Sequence, residues 1–262
     1  MSDWFHELPV LWMALLIFGF TYLLALAIHV GVAALARSGR VKSFKAVSPG
    51  MLPPLGIIFG LFVAFTAVQV WSDSDHASAA VSHEASALRT ALVLAASFPG
   101  EPEAKLHDLI GTYAHETATV EWPKMAQRTV PLNVTPHSLQ DALQLVLSLT
   151  ATHPGQQVAQ REITSAIEAA LDSRRQRIIV SRAEVDAVKW SCLYLQAICA
   201  LVAIALVHCD DRLSSLVAMG LFATGVSASV LLIAAHDRPF IGQIMVTPEP
   251  LLQIISDPVA RR

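Results

Sequence analysis

Residues 8–36 contain no Asp, Glu, Lys or Arg, and His29 is the only histidine among them. A helix on the surface of a soluble protein keeps a polar face, and this stretch has none. About 20 apolar residues cross a hydrocarbon layer of roughly 30 Å, so the segment is long enough to span a membrane. Three more stretches of the same kind follow at about residues 53–71, 190–207 and 213–235. The chain is therefore expected to be an all-α, polytopic membrane protein with four transmembrane helices.

The composition agrees. Apolar residues make up 54% of the 262 and charged residues 15%, well below the roughly 25% charged residues of soluble domains. A net charge of −3 without a basic block gives no footprint for nucleic acid. Cys192, Cys199 and Cys209 lie in or beside one apolar stretch; an odd, clustered set of this kind reads as small core residues and not as a disulfide framework. The first span is read as a retained helix, not a secretory signal. Residues 1–7 hold two acids and no Lys or Arg, and no small-residue cleavage site ends the run.

Between the second and third spans lies a polar region that reads as helical throughout. Ala77, Ala80, Val81, Ala87, Leu88 and Ala91 recur at three-four spacing in 72–98, before Pro99-Gly100. Leu106, Leu109, Ile110, Tyr113 and Val120 form a stripe in 101–125, where Pro123 ends or kinks the helix. A proline loop at 130–136 precedes helices at 136–152 and 156–189. The expected organisation is a first membrane pair (1–72), a helical extramembrane domain (73–189), a second membrane pair (190–236) and a tail (237–262). No Gly or Pro lies between Leu61 and Phe98, so the second span is expected to continue into the polar region as one helix. The last polar helix is expected to run likewise into the third span.

The side of the polar domain is left open by charge. Arg37, Arg40, Lys42 and Lys45 follow the first span with no acid among them. By the positive-inside rule that loop is cytoplasmic and the polar domain external. Arg174, Arg175, Arg177, Arg182 and Lys189, ahead of the third span, pull the other way, although long segments count for less in that rule.

Charged groups inside a bilayer are costly and mark function. Spans two to four have no Asp, Glu, Lys or Arg at their centres, which argues against an ion-coupled pump. His29 reads as a hydrogen-bonded histidine. Gly56, Gly60, Ala64 and Ala67 in the second span fall at i, i+4, i+8 and i+11, a ridge that permits close helix packing. Phe59, Phe62 and Phe65 recur on the other side. Either that ridge packs on a neighbouring helix with the phenylalanines toward lipid, or the phenylalanine face lines a hydrophobic constriction. In the second arrangement the pore-lining set is Phe59, Phe62, Thr66 and Gln69. His208-Cys209-Asp210-Asp211 reads as a short solvated loop. No metalloprotease, P-loop, nucleophile-elbow or dinucleotide motif is present, so no catalytic residue, metal site or cofactor is assigned.

Three stretches together resemble a known family. They are residues 56–71; His83-Glu84-Ala85-Ser86-Ala87-Leu88 with Tyr113 and Glu121-Trp122-Pro123 downstream; and His236-Asp237-Arg238-Pro239-Phe240-Ile241-Gly242 leading to Thr247-Pro248-Glu249-Pro250-Leu251. The combination, with Arg174-Arg175-Gln176-Arg177 before the third span, is similar to the bestrophin-like domain family of mostly bacterial membrane proteins. That family's name implies a distant likeness to bestrophins, pentameric ligand-gated anion channels whose second membrane helix lines the pore. Bestrophin neck residues recur every fourth position, and Ile58, Phe62 and Thr66 hold that spacing here. No acidic calcium clasp is visible. Bestrophins keep the domain between spans two and three in the cytosol, opposite to the charge count. Glu84 and Glu121 are candidates for ion pairs with Arg174, Arg175 or Arg177, or for a ligand site; Asp237-Arg238 is a candidate anchor of the tail.

The leading expectation is a homo-oligomeric channel in the bacterial inner membrane, passing small inorganic ions through a pore lined by the second span, with a pentamer implied by the resemblance. Its partners are then the lipid bilayer, further copies of itself and the ions. The alternative is a membrane scaffold or sensory subunit whose small-residue ridge docks on another protein.

Overall fold

In the computed structural model of the chain, the described residues are 3–6, 8–36 and 49–256. They contain helices and no strand. The basic loop that bears on orientation, with Arg37, Arg40, Lys42 and Lys45, lies outside them. In chain order the helices are α1 (Asp3–His6), α2 (Val10–Leu35), α3 (Leu52–Ala95), α4 (Glu101–Glu116), α5 (Trp122–Ala126), α6 (His137–Ser148), α7 (Pro154–Val180), α8 (Ala187–Val207), α9 (Arg212–His236) and α10 (Glu249–Ser256). A π turn, Thr117–Glu121, joins α4 to α5.

Four helices, α2, α3, α8 and α9, are long and apolar enough to cross a membrane. The all-α polytopic class expected from hydropathy is what the chain forms. The 44 residues of α3 are continuous, and at 1.5 Å per residue they reach ~66 Å, about twice a hydrocarbon layer. Pro53 and Pro54 sit in its first turn, where a missing N–H costs nothing. Beyond its end Gly100 takes φ +99°, a left-handed conformation that needs glycine. The second expected continuity does not form. α7 stops at Val180, and the chain turns through 181–186 before α8 begins at Ala187. There the N–H of Val185 donates to the Asp237 carboxylate (2.6 Å) instead of to a helical carbonyl.

The chain divides into two compact units. One is formed by described residues of Met1–Ser72 and Glu184–Ile244, the other by those of Asp73–Ala183 and Met245–Arg262. In the first, Met13 and Ile17 of α2 join Phe59, Ala67 and Val70 of α3, Leu193 and Ala197 of α8, and Val226, Val230 and Ile233 of α9 in one apolar cluster. In lipid this cluster gains packing, with little hydrophobic drive between helices. The buried hydroxyls of Thr21, Thr66 and Ser227 each donate to the carbonyl four residues back, at 2.8 Å. Cross-helix bonds tie Tyr22 Oη to Thr224 Oγ1 (2.8 Å) and His29 Nδ1 to Ser215 Oγ (3.1 Å).

The second unit packs α4 against α6 and α10, and α6 against α7, with the later part of α3. The buried positions of α7, namely Ala159, Ile163, Ile167, Ala170, Arg174, Arg177 and Ile178, follow helical spacing. Leu88, Ile110, Met125, Leu139 and Val146 fill the same interior. Ile163 is fully buried, whereas Val158 on the same helix is 59% exposed. Ile163→Ala is expected to lower stability by about 2–5 kcal/mol and Val158→Ala by less than about 0.5 kcal/mol. Denaturant unfolding of the full chain in detergent checks the contrast.

Candidate functional site

Two charged residues lie on stripes that are otherwise apolar. Glu84 falls four residues after Ala80 and four before Leu88, all buried, so its carboxylate is carried inward with them. Arg177 continues the stripe of Ile163, Ile167, Ala170 and Arg174 on α7. Both Glu84 and Arg177 are fully buried. The guanidinium grips the carboxylate at two points: Nε to Oε2 (2.7 Å) and Nη2 to Oε1 (3.0 Å). Such a fork fits a carboxylate in a way lysine cannot.

Glu121 joins through a register change. Seven residues after Tyr113, a regular helix puts Val120 on the buried stripe. The π turn Thr117–Glu121 inserts one residue, so Val120 is thrown out to 49% exposure and Glu121 takes the inward place. Pro123, which has no N–H to give the preceding turn, sits just beyond. Glu121 Oε1 accepts from Arg177 Nη2 (2.8 Å), and its Oε2 accepts from Arg174 Nε (2.9 Å) and Nη2 (2.5 Å). Arg174 Nη1 also donates to the Val134 carbonyl (3.0 Å). The buried Tyr113 hydroxyl donates to Glu84 Oε1, and Trp122 lies under the Arg177 guanidinium at 5.1 Å.

Two carboxylates and two guanidiniums thus neutralise one another in a water-poor interior. Burial by itself pulls the Arg177 pKa down, but the Glu84 charge, Tyr113 and Glu121 outweigh it and hold the guanidinium charged. Burial, together with the Glu84 charge, pushes the Tyr113 phenol well above its ordinary value, so it stays protonated and can keep donating. A buried network of this kind contributes only when every member is satisfied.

The network opens on one side into a cavity of about 360 Å³, lined by the π turn, Lys124, Arg174 and the proline loop around Val130–Pro136. Glu121 is the member nearest solvent, its side chain 15% exposed.

The other residues singled out from the sequence fall elsewhere. Arg175, one step off the stripe, is exposed and pairs with Asp172 at 3.4 Å. It does not reach Glu84. Asp237 and Arg238 are buried in the membrane-helix unit. Asp237 Oδ2 lies 3.7 Å from His6 Nε2, and Gly242, at φ +90°, leaves room for the His6 carbonyl where a Cβ would meet it at 3.0 Å. Burial, with Glu184 adding, pushes the Asp237 carboxyl up to about 6 against the pull of the Val185 N–H.

Within this chain the second span does not pack through its small-residue ridge, of which only Ala67 is buried. Phe59 points into its own helix cluster against Phe222, ring centroids 5.7 Å apart. Thr66 is buried, Phe62 half-buried, and Gln69 accepts from Lys189 Nζ at 2.5 Å. Gly56, Gly60 and Ala64 face outward with Leu61 and Phe65. A Cβ added at either glycine meets nothing within 4 Å.

Asp211 caps α9 through the Leu213 N–H (3.1 Å), and the Ser214 hydroxyl, with that N–H, holds its carboxyl below the usual range. Among the described residues no three His, Cys, Asp or Glu side chains come close enough to hold a metal.

The Bestrophin-like domain matches residues 9–251, and the chain belongs to that family of membrane proteins. No curated protein and no solved structure matches it significantly. Of the elements that carried the resemblance, Glu84, Tyr113, Glu121 and Trp122 converge on one another, with Arg174 and Arg177. The sequence left Arg177 as one of three arginines open to Glu84, and it gave Tyr113 as a stripe residue and an element of the resemblance without a contact to Glu84. Their shared spacing with Ile163, Ile167 and Ile110 was the available signal.

Arg177→Met leaves the buried Glu84 with the Tyr113 hydroxyl but no opposite charge and is expected to cost about 3–5 kcal/mol, against under about 0.5 kcal/mol for Arg175→Met. The double change Glu84→Gln/Arg177→Met is expected to cost less than the sum of its parts, read from unfolding of all four proteins. Asp237 gives a pH dependence of known sign. Its folded pKa of about 6 is raised above an ordinary carboxyl, so its contribution is full below about pH 4 and is lost as the pH rises through 6. Stability of wild type relative to Asp237→Asn is expected to decline across that window, followed by melting at fixed ionic strength.

Proposed function

We propose that the chain is the subunit of a homo-oligomeric channel of the bacterial inner membrane, passing small inorganic ions through a pore lined by its second membrane helix. The observation that carries this reading is the outward face of α3. Gly56, Gly60 and Ala64 form a shallow, unfilled ridge, and beside it Leu61, Phe65 and Val68 present a wholly apolar strip. Small residues at i, i+4 and i+8 let a second helix approach closely. Packed against the next copy, the ridge closes a ring and turns the strip toward its axis.

With Phe59 and Thr66 directed into their own subunit, the pore-facing positions of this reading become Leu61, Phe65 and Val68. Phe62 and Gln69 lie at the edge of that face. A ring of such side chains gates by wetting and drying and needs no bound charge. Uncharged span interiors suit passive flow better than an ion-coupled cycle. Family membership supports the same class.

The test is native mass spectrometry of the detergent-extracted chain, followed by conductance in planar bilayers. A closed ring is expected, with Gly60→Leu breaking it into smaller species and Phe65→Ala raising conductance relative to wild type. A monomer, or a stable complex with an unrelated membrane protein, overturns the pore and favours a scaffold or sensory subunit using the same ridge.

A further inference from the structure

The cavity beside the buried network contains polar groups that the protein leaves unused. Thr117 is 2% exposed and lines the cavity, yet its hydroxyl makes no hydrogen bond among the described residues. Other helical threonines, Thr90, Thr119 and Thr164, each donate to the carbonyl four residues back. A hydroxyl that meets the cavity without a protein partner is available to donate to a ligand.

Arg174 points the same way. A guanidinium has five N–H groups. Three are engaged, two by Glu121 and one by the Val134 carbonyl, and five less three leaves two. Lys124 stands at the rim with no ion pair among the described residues. Acceptors are scarcer inside: the Glu121 carboxylate already takes three N–H groups, and Glu116 is exposed to solvent. The interior therefore offers donors to a ligand that brings acceptors. Val120, Val130, Pro131, Val134 and Pro136 supply an apolar wall.

We propose that this cavity binds a small organic monocarboxylate with a compact apolar body. Its carboxylate sits between the Lys124 ammonium, the spare N–H groups of Arg174 and the Thr117 hydroxyl, and its body lies on the proline-loop wall. The lining carries two cations, Lys124 and Arg174, and two carboxylates, Glu116 and Glu121, so a single added negative charge disturbs that balance less than a phosphate dianion does. The volume of about 360 Å³ is at the small end of ligand pockets. The site stands or falls independently of whether the chain conducts.

Benzoate is the probe, titrated by calorimetry into the full chain in detergent, with benzylamine and benzyl alcohol as controls of similar shape. Saturable binding of one benzoate per subunit is expected, with neither control binding comparably. Lys124→Gln is expected to weaken it by about tenfold and Thr117→Val by severalfold, the size of one charge-assisted and one neutral hydrogen bond. Lys124 is exposed at the rim, so its variant decides the matter if Thr117→Val fails to fold. Absence of saturable benzoate binding at millimolar concentrations, equal binding of benzylamine, or undiminished binding by Lys124→Gln overturns the proposal.

Discussion

The interior of the polar unit depends on one ion pair. Arg177 and Glu84 are both fully buried and lie on helices α7 and α3, where isolated charges are unsustainable. Each is held by the other and by a second layer: Tyr113 on Glu84, Glu121 and Met125 on Arg177, Arg174 on Glu121. Because a guanidinium fork accepts one geometry, these contacts fix the rotation and height of α3, α4 and α7 relative to one another. An apolar core tolerates slippage that this one does not. The π turn belongs to the same requirement, since only its extra residue places Glu121 beside Arg174 and Arg177.

The membrane unit is organised on a different principle. Several of its hydroxyls are satisfied locally, by returning to the carbonyl four residues back, or across single helix contacts such as Tyr22–Thr224, while Trp190 Nε1 and Gln196 Oε1 are buried without a partner among the described residues. Nothing charged sits at the centre of its spans. The unit therefore presents lipid-like surfaces on most sides, and the outward ridge of α3 is distinguished by shape, not by polarity. A surface lacking side chains beyond Gly and Ala is a poor match for flexible lipid tails and a good one for another helix.

α3 contributes to both units as one unbroken helix, and its two parts solve different problems. In 52–72 the buried side is Phe59, Thr66, Ala67 and Val70; further on it is Ala77, Ala80, Val81, Glu84 and Leu88. The first side is satisfied by shape alone, the second only by a partner of opposite charge.

Four spans, an all-helical polar region and an unbroken α3 were legible because each rests on local pattern: uncharged length, three-four spacing and the absence of Gly and Pro between Leu61 and Phe98. The break between α7 and α8 was not legible, because what stabilises it is a carboxylate 52 residues away in the chain, Asp237 on the Val185 N–H. Nor was the outward turn of Gly56, Gly60 and Ala64, since a helix apolar on all sides carries no sequence mark of which side meets its neighbours. The pairing of Glu84 with Arg177 in preference to Arg174 or Arg175 needed the rotation of α7, and the inclusion of Glu121 needed a π turn that periodicity cannot anticipate. The sequence alone determined class, helices and the charged residues caught on apolar stripes, because those follow from the period of the helix. Which charges meet, which face of the second span stays open and where a cavity remains were decided only by packing, because they depend on rotations and registers between segments far apart in the chain.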